Sequence, residues 1–216
     1  MSVNDDERLQ KHFDQQVLFD LVRRERFARD QRRFDVMAAC FHRDAYVRTS
    51  WYDGTGGDAY VEASRKWMSN TGNSKHWVFP AFAQIQGDRA TVESPAMIFN
   101  RARLEGIEID FQVYCRFFSR AVREEGEWKI ASFHVLFERD VMAPVIASDP
   151  LPVDRSLLDT MRPSYKFLTY IQRSRGIAVN QDLLGDDRPE ELAGFHAGED
   201  RWLAGDDQHP RGRGVS

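Results

Sequence analysis

The chain is poor in the residues that mark metal-binding, redox and membrane proteins. Its 216 residues include two cysteines, Cys40 and Cys115, which lie in apolar segments without the paired spacing of a metal site. No apolar run approaches the roughly 20 residues that a membrane-spanning helix needs, and the polar first 16 residues contain no apolar signal-peptide core. We therefore expect a cytoplasmic protein that holds no metal, with both thiols reduced.

The motifs of several common enzyme classes are also missing. The chain contains no glycine-rich phosphate loop, no dinucleotide fingerprint, no nucleophile elbow and no His-Glu-x-x-His zinc helix. Positive charge is not in excess either, because 30 Lys and Arg stand against 34 Asp and Glu, a formal net charge of −4. A protein that binds nucleic acid through charge would carry a broad basic surface. We therefore expect no cofactor and no nucleic-acid partner.

Apolar residues are abundant, and in the first part of the chain they follow a helical period. They make up 42% of the sequence, with 15 Phe and 5 Trp, which is enough for a packed core. The pattern predicts one helix from residue 17, a short second helix near residue 36 and a third over 58–69, with a strand over 44–52. One face of the first helix is predicted to carry Phe19, Arg23, Phe27, Asp30 and Phe34.

From residue 76 the period changes to that of long strands joined by tight turns. Strands are predicted over 76–86, 90–103, 107–122 and 128–139. In the third of these, apolar and polar residues alternate from residue 109 to residue 117, which is typical of a sheet with two unlike faces. Helices followed by an antiparallel meander predict an α+β fold. A long curved sheet that wraps around helices leaves a cavity, the usual setting for a small-molecule site.

Four segments are expected along the chain. They are a polar N-terminal lead-in over 1–16, an α+β domain over 17–142, a helical C-terminal extension over 143–204 and a mobile tail over 205–216. Prolines after residue 142 mark an irregular connector, and two helices are predicted within the extension, over 164–176 and 189–204.

Three stretches of the sequence resemble one known family. FARDQRRFDVMAACFHRDAYV is similar to its helix pair followed by an acidic residue and a strand, QGDRATV to its hairpin, and GEWKIASF to the entry to its final strand. Over residues 15–140 the chain therefore resembles the SnoaL-like branch of the nuclear transport factor 2-like superfamily. The resemblance implies a cone-shaped, curved antiparallel sheet wrapped around N-terminal helices. LLGDDRPEEL resembles a C-terminal extension of larger members.

The resemblance also implies a pair of catalytic residues. Scytalone dehydratases, hexachlorocyclohexane dehydrochlorinases and polyketide cyclases are among the proteins that the chain is similar to, and the first two share an Asp–His dyad. Asp30 and His76 occupy the matching positions. In this interpretation Asp30 orients the imidazole and His76 acts as general base. From the residues alone, Asp30 could equally be a surface carboxylate beside Arg26 or Arg33, and His76 a strand-edge residue.

Six further residues are candidates for substrate binding. They are His134, Tyr46, Trp51, Tyr52, Tyr114 and Arg116. His134 lies within the last strand, where it either lines the cavity or is a satisfied core group. The three aromatic residues between 46 and 52 either line the cavity mouth or pack in the core. Tyr114 and Arg116 lie on the polar face of their strand, which faces either the pocket or a partner subunit.

These features together predict a cofactor-independent lyase or isomerase that acts on a hydrophobic cyclic small molecule. Two alternatives stay open, a non-catalytic small-molecule-binding module and a beta-type accessory subunit of a ring-hydroxylating dioxygenase. The extension after residue 142 counts against the second alternative, because such subunits end soon after their last strand. A homodimer or homotrimer is expected, since the convex face of such a sheet would otherwise expose aromatic side chains.

Overall fold

The structure, a computed structural model, describes residues 3–71, 74–79 and 81–207. The strands are β1 Phe41–Arg48, β2 Asp53–Thr55, β3 Lys75–Val78, β4 Phe82–Gln86, β5 Arg89–Leu104, β6 Ile107–Glu124 and β7 Glu127–Pro144. The helices are α1 Val3–Asp30, α2 Phe34–Ala38, α3 Gly57–Thr71, α4 Arg155–Leu158, α5 Lys166–Ser174 and α6 Pro189–Leu203, with a 3-10 turn at Pro163–Tyr165. The segment 205–216 was predicted to be a mobile tail, and its residues from 208 onward lie outside the described residues.

All seven strands form one curved, unclosed sheet, which confirms the predicted α+β fold class. The strand order is β2-β1-β7-β6-β5-β3, and β4 also pairs with β5. Every pairing is antiparallel except that of β1 with β7, which is parallel. The strand predicted over 76–86 is two shorter strands, β3 and β4, which pair with different halves of β5. Pro80 separates them in the sequence, and proline cannot donate to a strand ladder.

Two tight turns fix the register of the three long strands. Glu105 and Gly106 have φ angles of 48° and 84°, and Glu125 and Gly126 have φ angles of 50° and 84°. Positive φ at both central residues is the requirement of the type I′ hairpin turn, whose twist matches that of the flanking strands. Starting at these turns, β6 pairs along its length with β5 on one side and with β7 on the other.

Helix α1 differs from its prediction in length and in rotation. It begins at Val3, so the segment 1–16, predicted as a polar lead-in, is helical from residue 3. Buried side chains recur along it every three or four residues, at Asp14, Leu18, Leu21, Glu25 and Ala28, and Arg26, Arg29 and Asp30 are buried beside them in its last turns. The face predicted to run from Phe19 to Phe34 is wrong, because Phe27 is 59% exposed. Leu18, Leu21 and Ala28 face the core, whereas Phe27 faces away from it.

The C-terminal extension is built onto the sheet. Residues 184–186 pair with the edge of β7 beyond the end of β1, because the N–H of Phe137 donates to the carbonyl of Leu184 at 2.9 Å. The carboxylate of Asp140 accepts the backbone N–H of Leu168 in α5 at 2.8 Å. Side chains of α4, the 3-10 turn and α5 join the same apolar core as the sheet. None of the described helices is long and apolar enough to cross a bilayer.

Helix α6 packs on the sheet through a buried ion pair. Arg120 of β6 donates from Nε and from Nη2 to the two carboxylate oxygens of Glu199 at 2.6 and 3.0 Å, and both side chains are 4% exposed. Phe118 meets Phe195 of the same helix at 5.1 Å between ring centroids. The sequence predicted that this face of the sheet would be bare and would therefore drive oligomerisation. Helix α6 of the same chain covers part of it. The oligomeric state stays a prediction.

Removal of one partner of this ion pair is expected to destabilise the fold strongly. Glu199→Ala leaves a buried guanidinium without its carboxylate, a change that costs about 3–5 kcal/mol in comparable buried pairs. The matched control is Asp110→Ala, because Asp110 also accepts two bonds from an arginine, Arg101, but both partners are about half exposed. Its loss should be within about 1 kcal/mol. Urea unfolding measures both, and equal losses would contradict the assigned role of the Arg120–Glu199 pair.

Candidate functional site

Asp30 and His76 meet where the end of α1 reaches the edge strand β3. The backbone N–H of His76 donates to Oδ2 of Asp30 at 2.6 Å, and its imidazole Nδ1 lies 2.7 Å from Oδ1. Lys75 of the same strand donates from Nζ to the backbone carbonyl of Asp30 at 2.7 Å. Both side chains are buried, at 5% exposure for His76 and 6% for Asp30. The structure thus brings together the two residues that the sequence singled out as a dyad.

Burial and local charge set the protonation of this pair. Burial lowers the pKa of His76 to about 4; the Asp30 carboxylate opposes this shift, and the positive charges of Arg26 and Arg29 add to it. Burial by itself would raise the pKa of Asp30, but its hydrogen bonds to His76 and the nearby charges outweigh burial and lower that pKa below its usual value. Near neutral pH the pair is therefore a carboxylate and a neutral imidazole.

This protonation state fixes the tautomer of His76. A carboxylate only accepts hydrogen bonds, so the neutral ring carries its proton on Nδ1 and has a lone pair on Nε2. Nε2 makes no hydrogen bond to any residue that the structure describes. The arrangement has the chemical features of an oriented general base, with a carboxylate placed to stabilise the imidazolium that proton uptake would form.

Behind the pair, helix α1 carries a buried ion pair that lies against the inner face of the sheet, which is the face toward α1. Arg26 donates from Nε and Nη2 to the carboxylate of Glu25 at 2.9 and 2.6 Å, and from Nη2 to the hydroxyl of Tyr60 at 3.3 Å. Its guanidinium lies 4.7 Å from the ring centre of Phe133 and 5.4 Å from that of Phe117. The imidazole of His76 is 5.9 Å from the Phe117 ring. The interior near His76 is thus aromatic and charged.

Arg29 is another buried guanidinium near the pair, and its Nε and Nη1 find no hydrogen-bond partner among the described residues. Its side chain is 2% exposed, and its Nη1 lies 3.6 Å from Oδ1 of Asp30, beyond hydrogen-bond distance. Nε and Nη1 are both buried without a hydrogen-bond partner. Burial lowers the pKa of Arg29, yet an arginine keeps its proton in proteins, so the charge stays. The guanidinium lies 5.6 Å from the ring centre of Trp51.

Two cavities lie on either side of this charged interior. One, of about 370 Å³, is bordered by the dyad itself, and six of its lining residues are Arg23, Arg26, Asp30, His76, Trp77 and Phe99. The other, of about 740 Å³, lies between α3 and the extension. Six of its lining residues are Trp51, Tyr52, Lys66, Trp67, Asn70 and Arg175.

Trp51 and Tyr52, two of the predicted binding residues, belong to an aromatic cluster at the larger cavity. The Trp51 ring stacks on Trp67 at 4.7 Å and on Tyr60 at 5.8 Å, and Tyr52 meets Tyr60 at 5.1 Å. Thr49 holds this turn, because its hydroxyl accepts the backbone N–H of Tyr52 at 3.1 Å. Tyr60 in turn contacts Arg26, so the cluster connects the cavity to the charged interior.

Tyr46 and His134 lie on the outer face of the sheet, which is the face partly covered by α6. The His134 ring is 5.1 Å from that of Phe195 in α6 and 5.5 Å from that of Tyr46. Tyr46 donates its hydroxyl proton to Asp53 at 2.7 Å. Burial, with the charges of Arg120 and Arg48, lowers the pKa of His134 to about 3. The structure does not bring these two predicted residues to the dyad.

Tyr114 and Arg116 also face outward, because side chains alternate along β6 and Phe117 points inward. Arg116 pairs with Glu93, Glu138 and Asp186 at 2.8, 2.8 and 3.0 Å. The Tyr114 hydroxyl donates to Oε1 of Gln112 at 3.1 Å. Both side chains thus have partners within the chain, and neither reaches Asp30 or His76.

The remaining candidates for chemistry are groups of metal-ligating side chains and the two cysteines. Within it, no group of three or more His, Cys, Asp or Glu side chains is placed to hold a metal ion. Cys40 and Cys115 are free and buried. Burial raises the pKa of the Cys40 thiol to about 12 and raises that of Cys115 as well, so both thiols are protonated and poorly nucleophilic.

The sequence reasoning missed the charged residues inside the fold, Glu25, Arg26 and Arg29. It considered Arg26 as a surface or salt-bridge residue, and the structure shows a buried ion pair with Glu25. One signal was present, because Glu25 continues the three-and-four spacing of Leu18 and Leu21 toward Ala28 and therefore occupies a core position.

The fold defines a class of proteins. It is the class of α+β proteins whose curved sheet wraps around N-terminal helices. Within that class the chain belongs to the SnoaL-like domain family, whose model matches residues 14–134. The family resemblance seen in the sequence is thereby confirmed, and it places the chain in the nuclear transport factor 2-like superfamily.

Known relatives agree with this placement. A pea pathogenicity protein 2 from Fusarium vanettenii is 28% identical over 187 residues, which cover 82% of this chain and 80% of that protein. The crystal structure of a putative scytalone dehydratase from Novosphingobium aromaticivorans has a TM-score of 0.52 and 18% identity, covering 67% of this chain and 97% of its own. A type 2 hexachlorocyclohexane dehydrochlorinase has a TM-score of 0.54 and 14% identity, covering 67% and 99%. At these identities the two structures show the fold alone.

The pKa of His76 is a testable property of the pair. Nuclear magnetic resonance of the imidazole nitrogens should show a neutral ring, protonated at Nδ1, until the pH falls to about 4. Asp30→Asn should lower that pKa further, because it removes the charge that favours the imidazolium. Asp110→Asn, an exposed carboxylate on β6, should leave it unchanged. A midpoint near the ordinary histidine value of about 6.5 would contradict the buried neutral ring.

Proposed function

We propose that this chain is a cofactor-independent lyase or isomerase in which His76 is the general base and Asp30 orients it. The observation that carries the proposal is the contact of a neutral, buried imidazole with a carboxylate, with Nε2 left without a partner among the described residues. A proton acceptor of this kind needs no other group to be activated. The substrate class is a hydrophobic cyclic small molecule, because the aromatic side chains of Trp77 and Phe99 line the cavity that the dyad borders.

The reaction begins with proton transfer from carbon. Nε2 of His76 takes a proton from a carbon next to the one that bears the leaving group. The electron pair of that C–H bond forms a C=C bond, and the leaving group departs with the electrons of its own bond. Asp30 stabilises the imidazolium. In an elimination, His76 then returns the proton to the departing group. In an isomerisation no group departs: the electron pair of the C–H bond moves into an adjacent carbonyl to form an enolate, and His76 returns the proton to another carbon of that enolate.

The names of the two structural neighbours are consistent with elimination. A dehydratase and a dehydrochlorinase each remove a small molecule from their substrate. We propose the same reaction type for this chain on the strength of its own dyad.

A ligand-binding module without catalysis is the second candidate, and one observation favours it. With a pKa of about 4, His76 is a weak base, while general bases act best with a pKa near the operating pH. The two candidates differ in whether a bound substrate exchanges carbon-bound hydrogen with solvent.

Substitution of either dyad residue should abolish proton transfer. His76→Gln and Asp30→Asn should each lower turnover by about 100-fold or more, the range expected for loss of a general base. A panel of cyclic hydroxyketones incubated in D₂O, with deuterium uptake followed by mass spectrometry, measures proton transfer without knowledge of the leaving group. His12→Gln, a substitution of an exposed histidine on α1, is the matched control. If both dyad variants fold and exchange at the wild-type rate, the proposal fails.

The pH dependence of the reaction should follow the lowered pKa of His76. The base must be neutral to act, so kcat/KM is lost as the pH falls through the pKa of the free enzyme, at about 4. The rate should therefore still be constant between pH 7 and pH 5.5, where an ordinary histidine, with a pKa of about 6.5, would already have lost most of its activity. An acidic limb centred near pH 6.5 would assign the base to a different, solvated group.

A further inference from the structure

The larger cavity has the chemistry of a site for an anionic ring. Trp51, Tyr52 and Trp67 present aromatic rings to it, and Lys66 and Arg175 add two positive charges. None of the described residues that line it is acidic. Aromatic walls favour a flat or cyclic guest, and positive charges without lining carboxylates favour a negative one.

Arg29 lies directly behind the wall of this cavity. Its guanidinium is 5.6 Å from the centre of the Trp51 ring, on the side toward Asp30. It is buried, charged and without hydrogen bonds at Nε and Nη1. Its nearest carboxylate, that of Asp30, already accepts two bonds from His76. A buried charge with unsatisfied donors is unfavourable until an acceptor arrives.

We propose that the cavity binds a cyclic carboxylic acid whose carboxylate pairs with Arg29 and whose ring stays among the aromatic side chains. A carboxylate suits this position better than a neutral carbonyl, because it supplies two oxygens for a planar fork of donors and also matches the charge. The inference rests on the proposed function, since it narrows the substrate class: Nη1 of Arg29 lies 3.6 Å from Oδ1 of Asp30, the residue that orients His76.

Access to Arg29 requires the Trp51 ring to turn aside. Trp51 lies between the guanidinium and the cavity and stacks on Trp67 at 4.7 Å. Binding of the carboxylate therefore separates two stacked indoles. The near-ultraviolet circular dichroism of the aromatic cluster should change when the site is filled, and Trp51→Ala should remove that change.

Binding of naphthoate and of its neutral counterpart naphthamide tests the proposal with two probes of nearly equal shape. Isothermal titration of the wild-type protein should give naphthoate at least about tenfold higher affinity, as expected for charge-assisted hydrogen bonds to a buried donor. Arg29→Gln should reduce this preference to within about twofold. Arg24→Gln, the same substitution at an exposed arginine of the same helix that does not line the cavity, should keep the preference. Lys66→Gln removes a cavity-rim charge that is 74% exposed and tests attraction at the rim.

Three results would overturn the proposal. They are equal binding of the two probes by the wild type, a preference that survives Arg29→Gln, and a preference that disappears with Lys66→Gln, which would indicate attraction at the rim only. If Arg29→Gln does not fold, the imidazole resonances of His76 in the wild-type protein test the proposal instead. They must shift on addition of naphthoate and stay in place on addition of naphthamide.

Failure of this inference and failure of the proposed function give different results. His76→Gln removes the base but leaves the Arg29 guanidinium and the cavity, so its preference for naphthoate over naphthamide should survive whether or not the chain is an enzyme. Deuterium exchange that depends on His76 together with no preference for naphthoate would keep the reaction and reject the carboxylic acid. Selective binding without exchange would keep the acid site and reject catalysis.

Discussion

The carboxylate of Asp30 holds the end of α1 against the edge of the sheet, and the geometry of the site depends on this link. A carboxylate at the C-terminal end of a helix opposes the helix dipole, and burial adds to its cost. The N–H and imidazole of His76 offset that cost at 2.6 and 2.7 Å, and Lys75 binds the helix carbonyl at 2.7 Å. The same contacts that make the acid tolerable inside the protein also orient the imidazole and fix its tautomer.

Four charged residues lie close together on the inner side of α1, and their order explains the polarity around His76. Glu25, Arg26, Arg29 and Asp30 supply two negative and two positive charges, so their formal charges cancel. Their hydrogen bonding is unequal, because Glu25 and Arg26 satisfy each other while Arg29 has only a 3.6 Å contact with Asp30. Two guanidiniums near the ring also favour the neutral imidazole. The charges of this one helix thus favour the neutral form of His76 on β3 and place a positive charge near it.

The sequence predicts the order of elements and the Asp30–His76 pair well, and side-chain orientation less well. Turn chemistry and alternation are local, so Glu105-Gly106 and the strands around it are readable. The rotation of α1 is not, because arginines recur all around it and residue type alone assigns Arg26 to the surface. Its burial depends on Glu25, Tyr60 and Phe133, which only the tertiary fold brings together. His134 was ambiguous because α6, distant in sequence, makes the outer face apolar too.

The two parts of the chain contribute different properties to the site. The dyad lies within residues 14–134, the part that the SnoaL-like domain model matches, whereas Arg175 and Ile177, which close the larger cavity, come from the extension. Ion pairs and backbone bonds hold that extension to the sheet on both sides, so its position is as fixed as that of the core. A related domain without the extension would keep the base but have a different cavity wall. In the proposed function, the general base therefore belongs to the matched domain, while part of the wall of the larger cavity comes from residues outside that domain.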